Sequence, residues 1–234
     1  MKLIDIEAVF FDAADTLFYI KEGLGNTYLN PALKYGVNTT PNELKKAFSK
    51  YFPVAPPLAF PDVSDSERKT LERNWWYDVV NKVYTDIGMF PEFDQYFEEL
   101  FEIFRTKAWE IFPETIDVLN ELKSRGYKLV VVSNFDSRVY DVCRNLKILD
   151  YFDDFLISSE SGYAKPNPGI FELALERNSL VPSKCVHIGD NFENDYTSPT
   201  KLGINAIFLD RENEDGENNI NKISNLNEIL NVLV

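Results

Sequence analysis

Short apolar runs rich in β-branched residues alternate along this chain with longer segments in which apolar positions recur every three or four residues. The short runs predict strands at residues 8–11, 128–133, 155–158, 185–188 and 206–209. Leu129-Val130-Val131-Val132 is apolar at every position, as expected of a strand covered on both faces. The longer segments predict helices at 113–125, 137–146, 168–177 and 192–202. Pro113 opens the first of these and Gly126 follows it, the usual asymmetry of helix ends. Alternation of this kind predicts an α/β fold, a Rossmann-like parallel sheet with crossover helices on both faces.

Residues 21–111 break the alternation. Helical spacing dominates there, notably over 67–87 and 92–109, after a proline-rich bend at 53–61. The chain is therefore expected to consist of an α/β core, residues 1–20 and 112–234, and an inserted all-helical cap, residues 21–111. The insertion leaves the core just after its first strand, where ligands bind in open α/β sheets, so it is expected to cover a site. Its aromatic residues, including Trp75, Trp76, Tyr77 and those between Phe90 and Phe104, recur at helical spacing and are expected to be core more than pocket lining. The run from 212 to 231 is rich in Asn and acids. Its opening part reads as a solvated loop before a last helix at 226–233.

Composition narrows the function classes. With 234 residues, 44% of them hydrophobic and 14% aromatic, the chain can bury one large core and a smaller one. A net charge of -14 offers no positive field for a phosphate backbone, which argues against nucleic acid as a partner. No apolar stretch approaches the roughly 20 residues needed to span a bilayer, and carboxylates interrupt the first residues, so no membrane partner and a cytoplasmic location are expected. Two cysteines without metal-ligand spacing, Cys143 and Cys185, read as buried reduced thiols.

The chemistry is concentrated in two acidic loops, each behind an apolar run: Asp12-Ala13-Ala14-Asp15-Thr16-Leu17 and Gly189-Asp190-Asn191-Phe192-Glu193-Asn194-Asp195. Together they suggest a divalent-metal site beside a nucleophilic carboxylate. Between them lie Ser133-Asn134 at the end of a strand and Lys165-Pro166-Asn167-Pro168, whose prolines disfavour helix at the lysine. His187, the single histidine, falls inside an apolar strand and reads as structural.

These four motifs, in this order and over nearly the whole chain, resemble the haloacid dehalogenase superfamily of hydrolases, in the branch whose helical cap lies between the first two motifs. The resemblance implies Asp12 as the nucleophile that forms a covalent aspartyl intermediate. It implies Lys165 as the cation that orients Asp12 and offsets charge on the transferring group, with Thr16, Ser133, Asn134 and Lys165 holding phosphate. It also implies Mg²⁺ held by Asp12, the main-chain carbonyl of Ala14, Asp190 and Asp195. The substrate implied is a small phosphorylated metabolite, hydrolysed as a phosphate monoester.

One position departs from the pattern. Phosphatases of the family carry an Asp two residues after the nucleophile, where this chain has Ala14, and acid–base help of that kind contributes about 10²–10⁴ in rate. Turnover is therefore expected to be slow. Asp15 is the neighbouring substitute, one residue out of register. Two alternatives follow: a non-catalytic member that binds a phosphorylated ligand or a protein, and a 2-haloacid dehalogenase. The last is disfavoured, because Asp190 and Asp195 are intact and the first arginine of the chain is Arg68, leaving the early cap without one for a substrate carboxylate.

Overall fold

The computed structural model describes residues 2–212 and 220–233. β1 (Ala8–Phe11) is followed by a short strand β2 (Phe18–Ile20), then by the helices α1 (Leu24–Ala32), α2 (Pro41–Tyr51), α3 (Asp65–Ile87) and α4 (Phe93–Thr106). The chain returns through β3 (Trp109–Ile111) and continues as α5 (Thr115–Ser124), β4 (Lys128–Ser133), α6 (Arg138–Asn145), β5 (Asp154–Ile157), a single turn α7 (Ser158–Ser161) and α8 (Gly169–Asn178). β6 (Cys185–Gly189), a π-helical turn at Phe192–Thr197, α9 (Ser198–Lys201), β7 (Asn205–Leu209), β8 (Lys222–Ile223) and α10 (Ile229–Val232) complete it.

Six of the strands form one sheet in the order β5-β4-β1-β6-β7-β8, each neighbouring pair parallel. The fully apolar strands divide their side chains by parity. Val9, Phe11, Leu129 and Val131 join one hydrophobic cluster with α5 and α6, while Ala8, Phe10, Val130 and Val132 join another with α8. This two-sided burial is why these strands lack hydrophobic–polar alternation. The order places β1 at the centre, where the connections diverge to either side, so the loops after β1, β4 and β6 converge at one end of the sheet.

The helices α1–α4 pack around a separate core, with Tyr28, Leu44, Val83, Tyr84, Tyr96 and Phe97 at its centre. Tyr84 donates to the Tyr96 hydroxyl (2.8 Å), which donates in turn to the Tyr28 carbonyl (2.9 Å), so the buried phenols are satisfied. β2 and β3 pair antiparallel, Phe18 opposite Ile111 and Ile20 opposite Trp109, and form the two-stranded neck between this helical unit and the sheet.

Several boundaries differ from expectation for local reasons. α3 begins at Asp65 because Ser64 and Glu67 form a capping box. The helix expected over 92–109 stops at Thr106, since Ala108 accepts from the Lys21 amide and Trp109 joins β3. Ser158, expected to close a strand, begins α7 instead. The helix expected over 192–202 is a π turn followed by a short α-helix. The last helix is a 3₁₀ turn at Leu226–Glu228 running into α10, and the short strand β8 precedes it. The loop expected after residue 212 lies, over 213–219, outside the described residues.

Candidate active site

Asp12 follows β1 directly, and its amide donates to the Ile188 carbonyl of β6 (2.9 Å), fixing the loop between two strands. Asp190 follows β6, and Asp195 returns to the same point because the π turn brings its carboxylate back over Gly189. Gly189 is required by that close approach: a Cβ there would lie 2.3 Å from Asp195 Cγ. Ligand oxygens of Asp12, Asp190 and Asp195 all lie within 4.8 Å of one another, and the three could hold a metal ion.

Lys165 reaches this cluster from the segment before α8. Its ammonium donates to Asp12 Oδ1 (2.7 Å), to Asp195 Oδ1 (2.6 Å) and to the Val132 carbonyl (2.9 Å), so all three protons are used. The Lys165 side chain is 2% exposed. Its backbone is held by Asn134, whose side chain accepts from the Lys165 amide (2.7 Å) and donates to the Lys165 carbonyl (2.8 Å). Asn134 is thus the bracket that sets Lys165, using its Oδ1 and one of its two Nδ2 protons there. Ser133, buried at the end of β4, lies beside the Asp12 carboxylate, and its hydroxyl favours the charged form. The Thr16 hydroxyl donates to Asp190 Oδ1 at 3.3 Å.

Electrostatics follow from two buried carboxylates, Asp12 and Asp195, sharing one lysine, with half-buried Asp190 beside them. Burial drives Asp190 upward, reinforced by Asp12, Asp195 and Asp15, to about 7. Burial also raises Asp12, which Lys165 pulls back and Asp195 pushes further up. Asp195 resists its own burial and stays well below the usual carboxylate range, because Lys165 and His187 both face it. For Lys165 burial disfavours the charge, yet Asp12 and Asp195 together raise it above the ordinary lysine value. The cluster therefore holds more carboxyl groups than cations, with Asp12 and Asp190 both pushed toward their protonated forms. That excess, with hard oxygens converging from separate loop ends, fits a small divalent cation.

His187 has a role the sequence pattern did not indicate. Its Nε2 lies 2.9 Å from Asp195 Oδ1, and its ring packs edge-on against Phe171, wholly buried. Burial lowers its proton affinity despite Asp195, so it is a neutral ring that donates from Nε2 and fixes the carboxylate. Strand parity is the signal that could have found it, since His187 lies two residues before Gly189 and so shares that residue's face of β6.

Ala14 and Asp15 stand at the cavity side of the loop. Asp15 has φ +58°, a left-handed conformation that Gly, Asn and Asp tolerate. Its amide donates to the Phe18 carbonyl (2.7 Å), and Arg211 binds the carbonyls of Asp15 (3.3 Å) and Thr16 (2.8 Å), so the turn is locked from both sides. Arg211 was not singled out by sequence, because it follows β7 and meets this loop only through the fold.

A cavity of about 420 Å³ adjoins the cluster, bounded by Ala14, Asp15, Asn134 and Phe135 on the sheet side and by α1–α4 on the other. The expectation for the cap aromatics holds in part. Tyr84, Phe93 and Tyr96 are buried core, whereas Phe48, Phe52, Trp76 and Phe101 line this cavity. Below it the helical unit is fastened to the sheet domain. Trp76 Nε1 donates to buried Asp136 (2.5 Å), which is paired with Arg138, and Glu72 accepts from the Ser137 amide (3.0 Å) and hydroxyl. Among the described residues no helix is long and apolar enough to cross a membrane.

A family model of haloacid dehalogenase-like hydrolases matches residues 6–203. The human haloacid dehalogenase-like hydrolase domain-containing protein 3 is 30% identical over 209 residues, covering 88% of this chain and 82% of that protein. The glyceraldehyde 3-phosphate phosphatase of Methanothermobacter thermautotrophicus is 36% identical over 131 residues, 51% of this chain and 58% of that protein. Among solved structures, a HAD phosphatase from Thermococcus onnurineus superposes with a TM-score of 0.68 at 24% identity over 97% of both chains, a likeness of fold.

Proposed function

The chain belongs to the haloacid dehalogenase-like hydrolases, and from that premise we propose that it hydrolyses a small phosphate monoester slowly, through an aspartyl-phosphate on Asp12, with Mg²⁺ as cofactor. The observation that carries this is Lys165 Nζ, shared between Asp12 and Asp195 in a cluster whose carboxylates still outnumber its cations. Such an arrangement aligns one carboxylate oxygen for attack and leaves room for the charge of a metal and a phosphoryl group. The related archaeal phosphatase supports phosphate as the transferred group.

In this reading Asp12, Asp190, Asp195 and the Ala14 carbonyl hold the ion. When bound, Mg²⁺ would screen the carboxylates from an incoming phosphate and stabilise charge in the displacement. Asp12 attacks phosphorus, Lys165 steadies Asp12 and offsets charge on the phosphoryl oxygens, and Ser133 and Thr16 supply hydroxyl donors. His187 and Asn134 are positioning residues, acting through Asp195 and Lys165. The substrate reaches the cluster from the cavity beneath α1–α4. Ala14 favours a second reading, a protein that keeps this pocket for a phosphorylated ligand and turns nothing over.

Phosphate release from a broad panel of phosphomonoesters, assayed with Mg²⁺ and with a chelator, tests the proposal. Slow release that requires the metal is expected. Turnover unaffected by the chelator would overturn the metal-dependent mechanism, and saturable phosphate binding without any release would establish the second reading.

A pH dependence follows from Asp190. A carboxyl raised to about 7 holds its proton below that pH, and a cation that takes Asp190 as ligand must displace it. Mg²⁺ affinity is therefore expected to fall as pH drops from 8 to 6, with proton release on binding seen by calorimetry in two buffers of different ionisation heat. A pH-independent affinity would show that Asp190 is not a ligand.

A further inference from the structure

The cavity beside Ala14 has a chemical character that the metal cluster does not explain. Its wall is built of rings: Phe48, Phe52, Trp76, Phe101, Trp109 and Phe135 all face it. The cation set in that wall, Arg138, is committed, its guanidinium paired with buried Asp136 and lying 4.0 Å from the Phe101 ring centre. Lys45 also borders it but is exposed. Among the described residues lining the cavity Asp15 is the one carboxylate, and the residue beside it is Ala14. A polyhydroxylated leaving group would lose hydration here and find few partners, whereas a planar apolar one would be stacked on several faces.

Geometry and chemistry then agree on the leaving group. The cavity touches the loop two residues beyond Asp12 and the strand end next to Ser133, so a phosphoryl group at Asp12 directs its ester oxygen and organic part into it. The wall has an alanine where a proton donor would help that oxygen depart. A phenol, with pKa about 10, leaves as an anion far more readily than an alkanol, whose pKa is close to the roughly 15.7 of water.

We propose that the substrate class is an aryl phosphate monoester, its ring held in the aromatic cavity and its leaving group a phenolate that needs no protein proton donor. An Asp12 oxygen forms the bond to phosphorus as the phosphorus–aryl oxygen bond breaks, its electron pair leaving on the aryl oxygen, which takes a proton from solvent. Water then cleaves the aspartyl-phosphate, so ester and water become phenol and phosphate. The chemical step rests on the hydrolase reading above; the ligand preference of the cavity does not.

The test measures binding and turnover side by side, with 1-naphthyl phosphate, glycerol 3-phosphate and inorganic phosphate as probes in Mg²⁺ buffer. Calorimetry is expected to show 1-naphthyl phosphate binding about tenfold or more tighter than glycerol 3-phosphate, the equivalent of burying part of one ring. Ser49 is an exposed residue of the cavity wall. Ser49→Trp, which fills the space, and Phe52→Ser, which removes a ring, should each weaken the naphthyl ester about tenfold and leave inorganic phosphate within about twofold, tenfold being about 1.4 kcal/mol. Equal affinity for the two esters, or no effect of either variant on the aryl ester, overturns the inference. Selective binding of the aryl ester with no phosphate released from either probe upholds the cavity's ligand class and defeats the hydrolase reading instead.

Discussion

Ala14→Asp is expected to raise phosphate release from an alkyl phosphate about 10²–10⁴-fold, the range that a positioned proton donor supplies. Asp12→Asn introduced into the same variant should remove the release completely. Position 14 borders the cavity, so a carboxyl there faces the departing ester oxygen. Asp15 borders it too, but the left-handed turn at Asp15, held by Phe18 and Arg211, fixes its backbone one residue later and leaves its side chain exposed. The gain should be concentrated on esters with poor leaving groups and be much smaller for aryl phosphates, whose phenolate departs unaided. Phosphate release and the esters' relative rates in parent, Ala14→Asp and Ala14→Asp/Asp12→Asn preparations check this. An unchanged alkyl rate in Ala14→Asp, joined to a fall in parent activity on Asp15→Asn, would assign proton transfer to Asp15 and sink the prediction.

How much of this was legible in the sequence depends on the range of the interaction that carries each feature. The five strands called from the sequence announced themselves because burial on both faces leaves their interiors apolar, His187 in β6 being the exception, and that is a property of each segment alone. Asp12, Ser133 and Asp190 were legible for a related reason, whereas Lys165 follows no strand and was legible only through its Lys-Pro-Asn-Pro motif. A parallel sheet places the carboxyl ends of its central strands together, so residues that follow apolar runs share one end of the fold. Features made by pairing across the fold were hidden. β2 and β3 are three residues each, too short to show a period, and are strands only because they find each other across the helical unit. α1 carries Pro31 inside it and was not separable from its surroundings. The Asn134 bracket on Lys165 and the Arg211 clamp on the turn depend on side-chain direction in three dimensions, and the contact of His187 with Asp195 left only the trace of strand parity. The cavity was obscured for another reason: aromatic residues at helical spacing pack a core and line a pocket with the same pattern, and only the arrangement of α1–α4 over the sheet separates Tyr84 from Phe101.

Lys165→Met should destabilise the metal-free protein by about 3–5 kcal/mol at pH 8, the cost of stranding buried charge when one partner of an ion pair is removed. The substitution keeps length and apolar bulk, and Asn134 grips the backbone at position 165, so the change reports the ammonium group more than the packing. What it strands is unusually severe: Asp12 and Asp195 each lose a bond shorter than 2.8 Å, and Asp190 already rises to about 7 with Lys165 present. The pH dependence has a definite sign. Carboxyls whose folded pKa lies above the unfolded value bind more protons in the folded state, so their burden on stability grows as pH rises through the folded pKa and fades as pH falls. The variant's deficit should therefore shrink between pH 8 and pH 5, as the unneutralised carboxyls take up protons, while an acid-sensitive salt bridge elsewhere would give the opposite trend. Urea unfolding of parent and variant at both pH values measures it. A loss below about 1 kcal/mol at pH 8 would mean that the three carboxylates share a proton among themselves and that Lys165 is not what keeps the cluster charged.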